Sequence, residues 1–162
     1  MGSEMCIRDS KQIVVGTDGS EGASLAVSVA VDLARLTGAD LHIVYAHKIA
    51  NAFQVASAVE AGMAPGALLD SNEAIHAEGQ RICDRTVEQA RRSGVTAEGH
   101  CVGADPVEAL SAVAQDVHAD LIVVGNRGMS GARRFVLGSV PNKLSHHCPT
   151  SLLIADTSSA RS

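Results

Sequence analysis

Apolar residues recur along this chain in two rhythms. Short unbroken runs of Val, Ile and Leu alternate with longer stretches in which apolar positions return every third or fourth residue. The first rhythm is that of buried strands, and the second that of helices with one apolar face. Ile13-Val14-Val15, closed by Gly16, predicts strand one. Ser20 is placed to cap a helix running to about Leu36, with Ala26, Val29, Ala30, Leu33 and Leu36 on one face. Gly38 stops that helix. Strand two is expected from Leu41 to about Ala46. Residues 48–66, rich in Ala, Gly and Ser, read as a long irregular connection; connections of that length are commonly functional.

The second half repeats the alternation. A helix is predicted over Leu68 to Arg92, with Ile75, Ile82, Cys83, Thr86 and Ala90 on one side and Gly94 at its end. "VTAEGHCV" is strand three. Asp105-Pro106-Val107-Glu108 carries a cap, a first-turn proline and a reciprocal glutamate. Leu110, Val113, Ala114 and Val117 form the buried stripe of the helix that follows. "ADLIVVG" is strand four. A glycine-rich loop leads to a helix from about Ser139 to His147, and "TSLLIAD" is strand five.

Strands alternating with helices predict an α/β fold with a parallel sheet. Right-handed crossovers leave few topologies. The expected one is a single-domain, open, twisted, five-stranded Rossmann-like sheet in the order 3-2-1-4-5, with helices on both faces. The domain is expected over residues 11–156, followed by a tail at 157–162. Residues 1–10, "MGSEMCIRDS", share no pattern with the rest and read as a tag-like or disordered N-terminus.

Composition narrows the picture. The 162 residues suit one domain, and aromatics make up only 2% of them, so the core must be aliphatic. Few rings also argue against single-stranded nucleic acid, whose bases stack on them. The net charge is −5 and there is no basic run, so no nucleic acid partner is expected. Without a long apolar stretch or an apolar signal core, no membrane association is expected and the predicted location is cytoplasmic. Cys6, Cys83, Cys101 and Cys148 match no metal knuckle and read as free thiols.

In open α/β sheets, ligands bind beyond the carboxyl ends of the strands, where the strand order reverses. Strand one ends in Gly16-Thr17-Asp18-Gly19-Ser20, and strand four in Gly125-Asn126-Arg127-Gly128. Both would flank one crevice. Bare backbone before the helix at Ser139 suits an anion, because free N–H groups and the helix dipole both favour negative charge there. This is neither a Walker A loop nor the dinucleotide G-x-G-x-x-G. Taken alone, the loop is equally compatible with a glycine-rich surface turn that binds nothing. Asp18 could cap its own turn, and Arg133 and Arg134 could reach phosphate or simply face water. His146-His147-Cys148 is a poor zinc site, since adjacent helical residues point apart. His42 reads as a partly buried histidine rather than a catalyst. No triad and no carboxylate pair is visible, so enzymatic activity stays an open question.

The spacing Gly125-x-x-Gly128, nine residues, then Gly138-Ser139 resembles the G-2x-G-9x-G-[ST] signature of the universal stress protein family, ATP-binding branch. "VVGTDGS" and "HHCPTSLLIAD" look like the same family, and the similarity spans about residues 11–156. It implies an ATP-binding, nucleotide-dependent regulator of the stress response with at most slow hydrolysis. The alternative is a chaperone-like interaction protein with a vestigial site. The resemblance places Asp18 against the nucleoside, with Gly16 and Thr17 beside it. It implies that the Ala46 backbone pairs with adenine, that Gly125 and Arg127 line the ribose and phosphate side, and that Gly128, Gly138, Ser139 and Val140 cradle the triphosphate. Pro141 departs from the pattern, which often has a hydroxyl there. Mg²⁺ is expected only through the phosphates. Strand five, "SLLIA", is an uncharged apolar edge of the kind that pairs with another chain. The resemblance implies a homodimer through Ser151–Ala155.

Overall fold

In the computed structural model the described residues are 11–64, 66–126 and 137–157. Five strands, β1 (Gln12–Thr17), β2 (Asp40–Ala46), β3 (Ala97–Val102), β4 (Leu121–Gly125) and β5 (Ser151–Ala155), form one parallel sheet in the order β3-β2-β1-β4-β5. The helices are α1 (Glu21–Thr37), α2 (Ala52–Glu60), α3 (Ala67–Arg92), α4 (Pro106–Asp116) and α5 (Ser139–His147). The order matches the expected topology and sets β1 beside β4 at the point of reversal.

Alternation along each strand splits the core in two. Ile13, Val15, Leu41, Ile43 and Val123 face α1 and α3, where Val27, Ala30, Val87 and Ala90 meet them. Val14, Val44, Ile122 and Val124 face the other way, against Leu110 and Val113 of α4 and Leu144 of α5. Val14, Val15, Leu41, Ile43, Ile122 and Val123 have no measurable exposure. Each such aliphatic side chain contributes roughly 1.5–3 kcal/mol of burial energy, which lets a core without large rings hold the sheet.

The local start and stop signals act as expected. The Ser20 hydroxyl accepts the Ala23 N–H at 3.1 Å, and Gly38 ends α1 at φ 69°. Asp105 accepts the Val107 N–H at 3.0 Å in front of Pro106. Gly79 of α3 lies so close to the sheet that an added Cβ would stand 2.5 Å from the Tyr45 ring, so this crossing needs a residue without a side chain.

Some expectations change. The predicted face of α1 is rotated: Ala23, Ala26, Val27, Ala30 and Ala34 are buried, while Leu36 is 84% exposed beside the C-terminal turn. Small residues win the interface because the helix lies close to the sheet. On α3, Ile75 is exposed because only the second half of the helix, from Gly79 onward, covers the sheet. The connection at 48–66 contains α2, which Asn51 opens with a capping box: it accepts the Gln54 N–H and donates its own N–H to the Gln54 side chain. α2 buries none of its residues, and Phe53 is 80% exposed. Thr157, assigned to the tail, is buried and donates to Asn126.

Candidate functional site

The carboxyl ends of β1, β2 and β4 open into one cleft, completed by the first turn of α5. Gly16, Thr17, Asp18, Ala46, Gly125, Gly138, Ser139 and Val140 all line it. Every candidate residue that lies among the described ones is therefore brought to a single place. Arg127 and Gly128, with Arg133 and Arg134, lie outside the described residues. The cleft offers about 170 Å³, far more than the 10–15 Å³ that one water needs.

Sequence reading missed the apolar floor. Val44, Leu110, Val124 and Pro106 line the cleft from below, with Ala23 at its side. Val44, Leu110 and Val124 belong to the core cluster beneath α4. The signal was present as strand alternation: Gly16, Val44 and Val124 share the α4 face, and a Cβ added at Gly16 would meet Leu110 at 3.4 Å. An apolar floor with polar groups at the rim is the usual composition of a small-ligand site.

The rim is held by local hydrogen bonds. The Asp18 carboxylate accepts the Ser20 N–H at 2.9 Å, and the Thr17 hydroxyl accepts the Gly19 N–H at 3.2 Å. Asp18 thus caps its own turn and also lines the cleft. It is the only ionisable side chain among the described lining residues. Among the described lining residues no base is paired with a nucleophile.

Asn126 was not singled out in the sequence, yet it joins the end of β4 to the chain after β5 and to the start of α5. Its N–H donates to the Ala155 carbonyl and its side-chain amide to Asp156, while Thr157 donates to its side-chain oxygen. Its carbonyl accepts the Gly138 N–H at 2.9 Å. Gly138 consequently contributes space rather than a donor. At the start of α5, Asn142 makes a helical bond back to Gly138, and Pro141 has no N–H. The Ser139 and Val140 N–H groups, in the first turn where no intrahelical acceptor exists, are the ones aimed outward. Pro141 is buried in that turn and lines the cleft.

The remaining chemical residues sort cleanly. His42 is 8% exposed and bonded through both ring nitrogens, to His100 at 3.0 Å and Gln12 at 2.8 Å. Burial, then the neighbouring His100, holds its pKa below the ordinary histidine value. Cys83 is buried and its thiol is pushed up to about 11 by burial, which makes it a packing residue. Cys101 and Cys148 are also free. The His146 and His147 ring centroids stand 6.4 Å apart and tilted, and neither ring belongs to a metal-compatible group among the described residues. No described helix is long and apolar enough to cross a membrane.

Comparison with known proteins fits this geometry. The family model of the Universal stress protein family matches residues 10–156. A universal stress protein of Mycobacterium tuberculosis is 36% identical over 158 residues, covering 91% of this chain and 97% of the relative. The universal stress protein YxiE of Bacillus subtilis is 32% identical over 142 residues, covering 85% and 95%. A crystal structure of a universal stress protein in complex with cAMP is 33% identical, superposes with a TM-score of 0.65 and covers 93% of this chain and 99% of that one. The universal stress protein UspA of Lactobacillus plantarum, 23% identical, shares the fold with a TM-score of 0.70 over 89% and 96%. With the family model covering nearly the whole chain and relatives above 30% identity along their full length, the protein belongs to the universal stress protein family.

Proposed function

We propose that this chain is an ATP-binding universal stress protein, a nucleotide-dependent regulator with at most slow hydrolysis. The carrying observation is the convergence of Gly16, Thr17, Asp18, Ala46, Gly125, Gly138, Ser139 and Val140 on one apolar-floored cleft at the reversal of strand order. In this reading the adenine lies toward Ala46, the ribose near Asp18 and Gly125, and the phosphates at the start of α5. There the Ser139 and Val140 N–H groups and the helix dipole favour negative charge. Arg127 and Gly128 join the phosphate side. Asp18, the one carboxylate among the described lining residues, is too few for an all-protein Mg²⁺ cage, so a divalent cation fits best as a bridge between phosphate oxygens.

Pro141 favours a second ligand of the same class. It removes a backbone donor from the first turn of α5, which suits one phosphate better than three. The 33%-identical structure holding cAMP is consistent with that choice. β5 lies at the sheet edge with Leu152, Leu153 and Ile154 half-buried, which supports a homodimer through Ser151–Ala155. The soluble α/β domain is assigned to the cytoplasm.

The test is direct. Protein purified without added nucleotide is denatured and its supernatant analysed for adenine nucleotides, and the refolded or dialysed chain is titrated calorimetrically with ATP and with cAMP. Saturable heat with ATP supports the principal reading. Heat with cAMP alone transfers the site to the single-phosphate ligand. Silence with both leaves the chaperone-like alternative with a vestigial site. Light scattering across a dilution series decides the dimer, and a monomer at every concentration overturns it.

A further inference from the structure

On the opposite face of the sheet from the cleft floor, three side chains from three elements converge. His47 follows the end of β2, His76 lies midway along α3, and Cys101 sits in β3. His47 Nε2 stands 3.0 Å from His76 Nδ1, and Cys101 Sγ stands 3.6 Å from the same nitrogen. All three candidate ligand atoms lie within 4.8 Å of one another.

These separations can be compared with what a metal requires. Zinc bonds of about 2.05 Å to nitrogen and 2.3 Å to sulfur at tetrahedral angles place N···N edges at roughly 3.3 Å and N···S edges at roughly 3.6 Å. The Cys101–His76 edge matches, the His47–His76 edge is a few tenths of an ångström short, and the His47–Cys101 edge lies within 4.8 Å. From these positions we propose that His47, His76 and Cys101 form a binding site for a thiophilic divalent cation, Zn²⁺ in the first instance. His47 supplies Nε2, His76 Nδ1 and Cys101 its thiolate, and the displaced thiol proton leaves to solvent.

Two further observations single out this group. The buried His47 Nδ1 has no hydrogen-bond partner, the one such side-chain atom among the described residues. The ring's only polar contact among the described residues is the one from Nε2 to His76, so Nδ1 can keep the proton when Nε2 exchanges that contact for the ion. The other histidine group, His42, Glu98 and His100, lacks that feature: Gln12 and His100 occupy both His42 nitrogens. Beside His47 and His76 a groove lined by Ile49, Asn72, Glu73 and Ala77 reaches the surface. It gives an ion an entry path and room for a fourth ligand such as water. His76 is exposed, Cys101 half-buried and His47 buried, a graded set that admits the ion from the α3 side.

A filled site would clamp the β2 exit to α3 and β3. Ala46, one residue before His47, lines the nucleotide cleft, so the clamp would stiffen the cleft's edge and the start of the chain leading to α2. The cation site stands independently of the nucleotide reading.

The experiment uses the full chain without a histidine tag, stripped with chelator and titrated with Zn²⁺ against a chromophoric competitor, then with Co²⁺ as a spectroscopic probe. The expected result is one ion per chain, a thiolate-to-cobalt charge-transfer band and tetrahedral ligand-field bands. His76→Ala should weaken binding by at least about 100-fold, beyond the 10–100-fold typical of losing an outer-shell partner. Because His76 is exposed, that variant should keep its circular dichroism and melting temperature. Cys101→Ser should abolish the charge-transfer band, whereas Cys6→Ser and Cys148→Ala should leave it intact. The proposal is overturned if the wild type retains no ion at micromolar Zn²⁺, or if His76→Ala and Cys101→Ser bind as tightly as wild type.

Discussion

The interior of the sheet and its carboxyl rim are built from the same strands and follow opposite rules. Within β1, β2 and β4 the residues are branched, aliphatic and almost without exposure, as with Val14, Val15, Ile43, Ile122 and Val123. At the strand ends they become Gly16, Ala46 and Gly125, and the next turn brings Thr17 and Asp18. The interior fills space; the rim leaves it empty. Bulk that stabilises three residues earlier would occlude the cleft here. The difference teaches that, in this chain, a ligand site arises where the strands stop supplying side chains.

The comparison can be broken from either side. In the interior, Leu41→Ala removes a fully buried side chain from the core between the sheet and α1 and α3. The expected loss is about 2–5 kcal/mol, read as a lower urea midpoint at unchanged slope. A loss below 1 kcal/mol would mean that this core is loosely packed.

At the rim, Gly138→Val should do the reverse. Gly138 sits at φ −59° and ψ 164°, which valine adopts without strain. Its methyl groups would fill cleft space, so adenine-nucleotide affinity should fall at least about tenfold, or about 1.4 kcal/mol, while the melting temperature holds. Undiminished titration heat would refute the placement of the phosphates.

Two caps sharpen the contrast between packed and peripheral structure. Ser20→Ala should cost about 1 kcal/mol, seen as a fall of roughly 2–4 °C in melting temperature, because α1 is part of the cooperative core. Asn51→Ala deletes the same kind of cap from α2, which buries nothing. It should leave the global transition unmoved and raise only local amide exchange. Equal shifts for both variants would show that α2 is held by contacts beyond its own chain.

The smallest effect concerns pH. His42 has a depressed pKa in the fold, chiefly through burial and then through His100, with Glu98 and Asp40 acting weakly in the opposite direction. A histidine that binds its proton less readily when folded lets the unfolded state gain protons first. Its contribution is therefore complete above the ordinary value of 6.5 and is lost as pH falls from there through the folded pKa. Denaturation midpoints of wild type should drop over that range more steeply than those of His42→Gln. Parallel curves would assign the pH dependence elsewhere.

Much of this was legible in advance, for identifiable reasons. Strand runs such as Leu121–Val124 and caps such as Ser20 and Asp105 are local signals, and they appeared where expected. α2 was not legible because the Ala-, Gly- and Ser-rich stretch around it read as loop and its Asn51 cap went unrecognised. Leu36 and Ile75 misled because periodicity reports a stripe without reporting which stretch of it the sheet covers. The rim glycines were visible through spacing, whereas the apolar floor and the Asn126 staple were not.

The one-dimensional chain determined the alternation of elements, the sheet order and the glycine spacing, since these follow from local propensity, handed crossovers and residues a few positions apart. Only the folded arrangement decided that Val44, Leu110 and Val124 floor the cleft, that Gly138 gives its N–H to Asn126, and that His47, His76 and Cys101 meet. Such contacts join residues far apart in sequence. Their distances are set by how helices seat on a twisted sheet, and no local pattern records that.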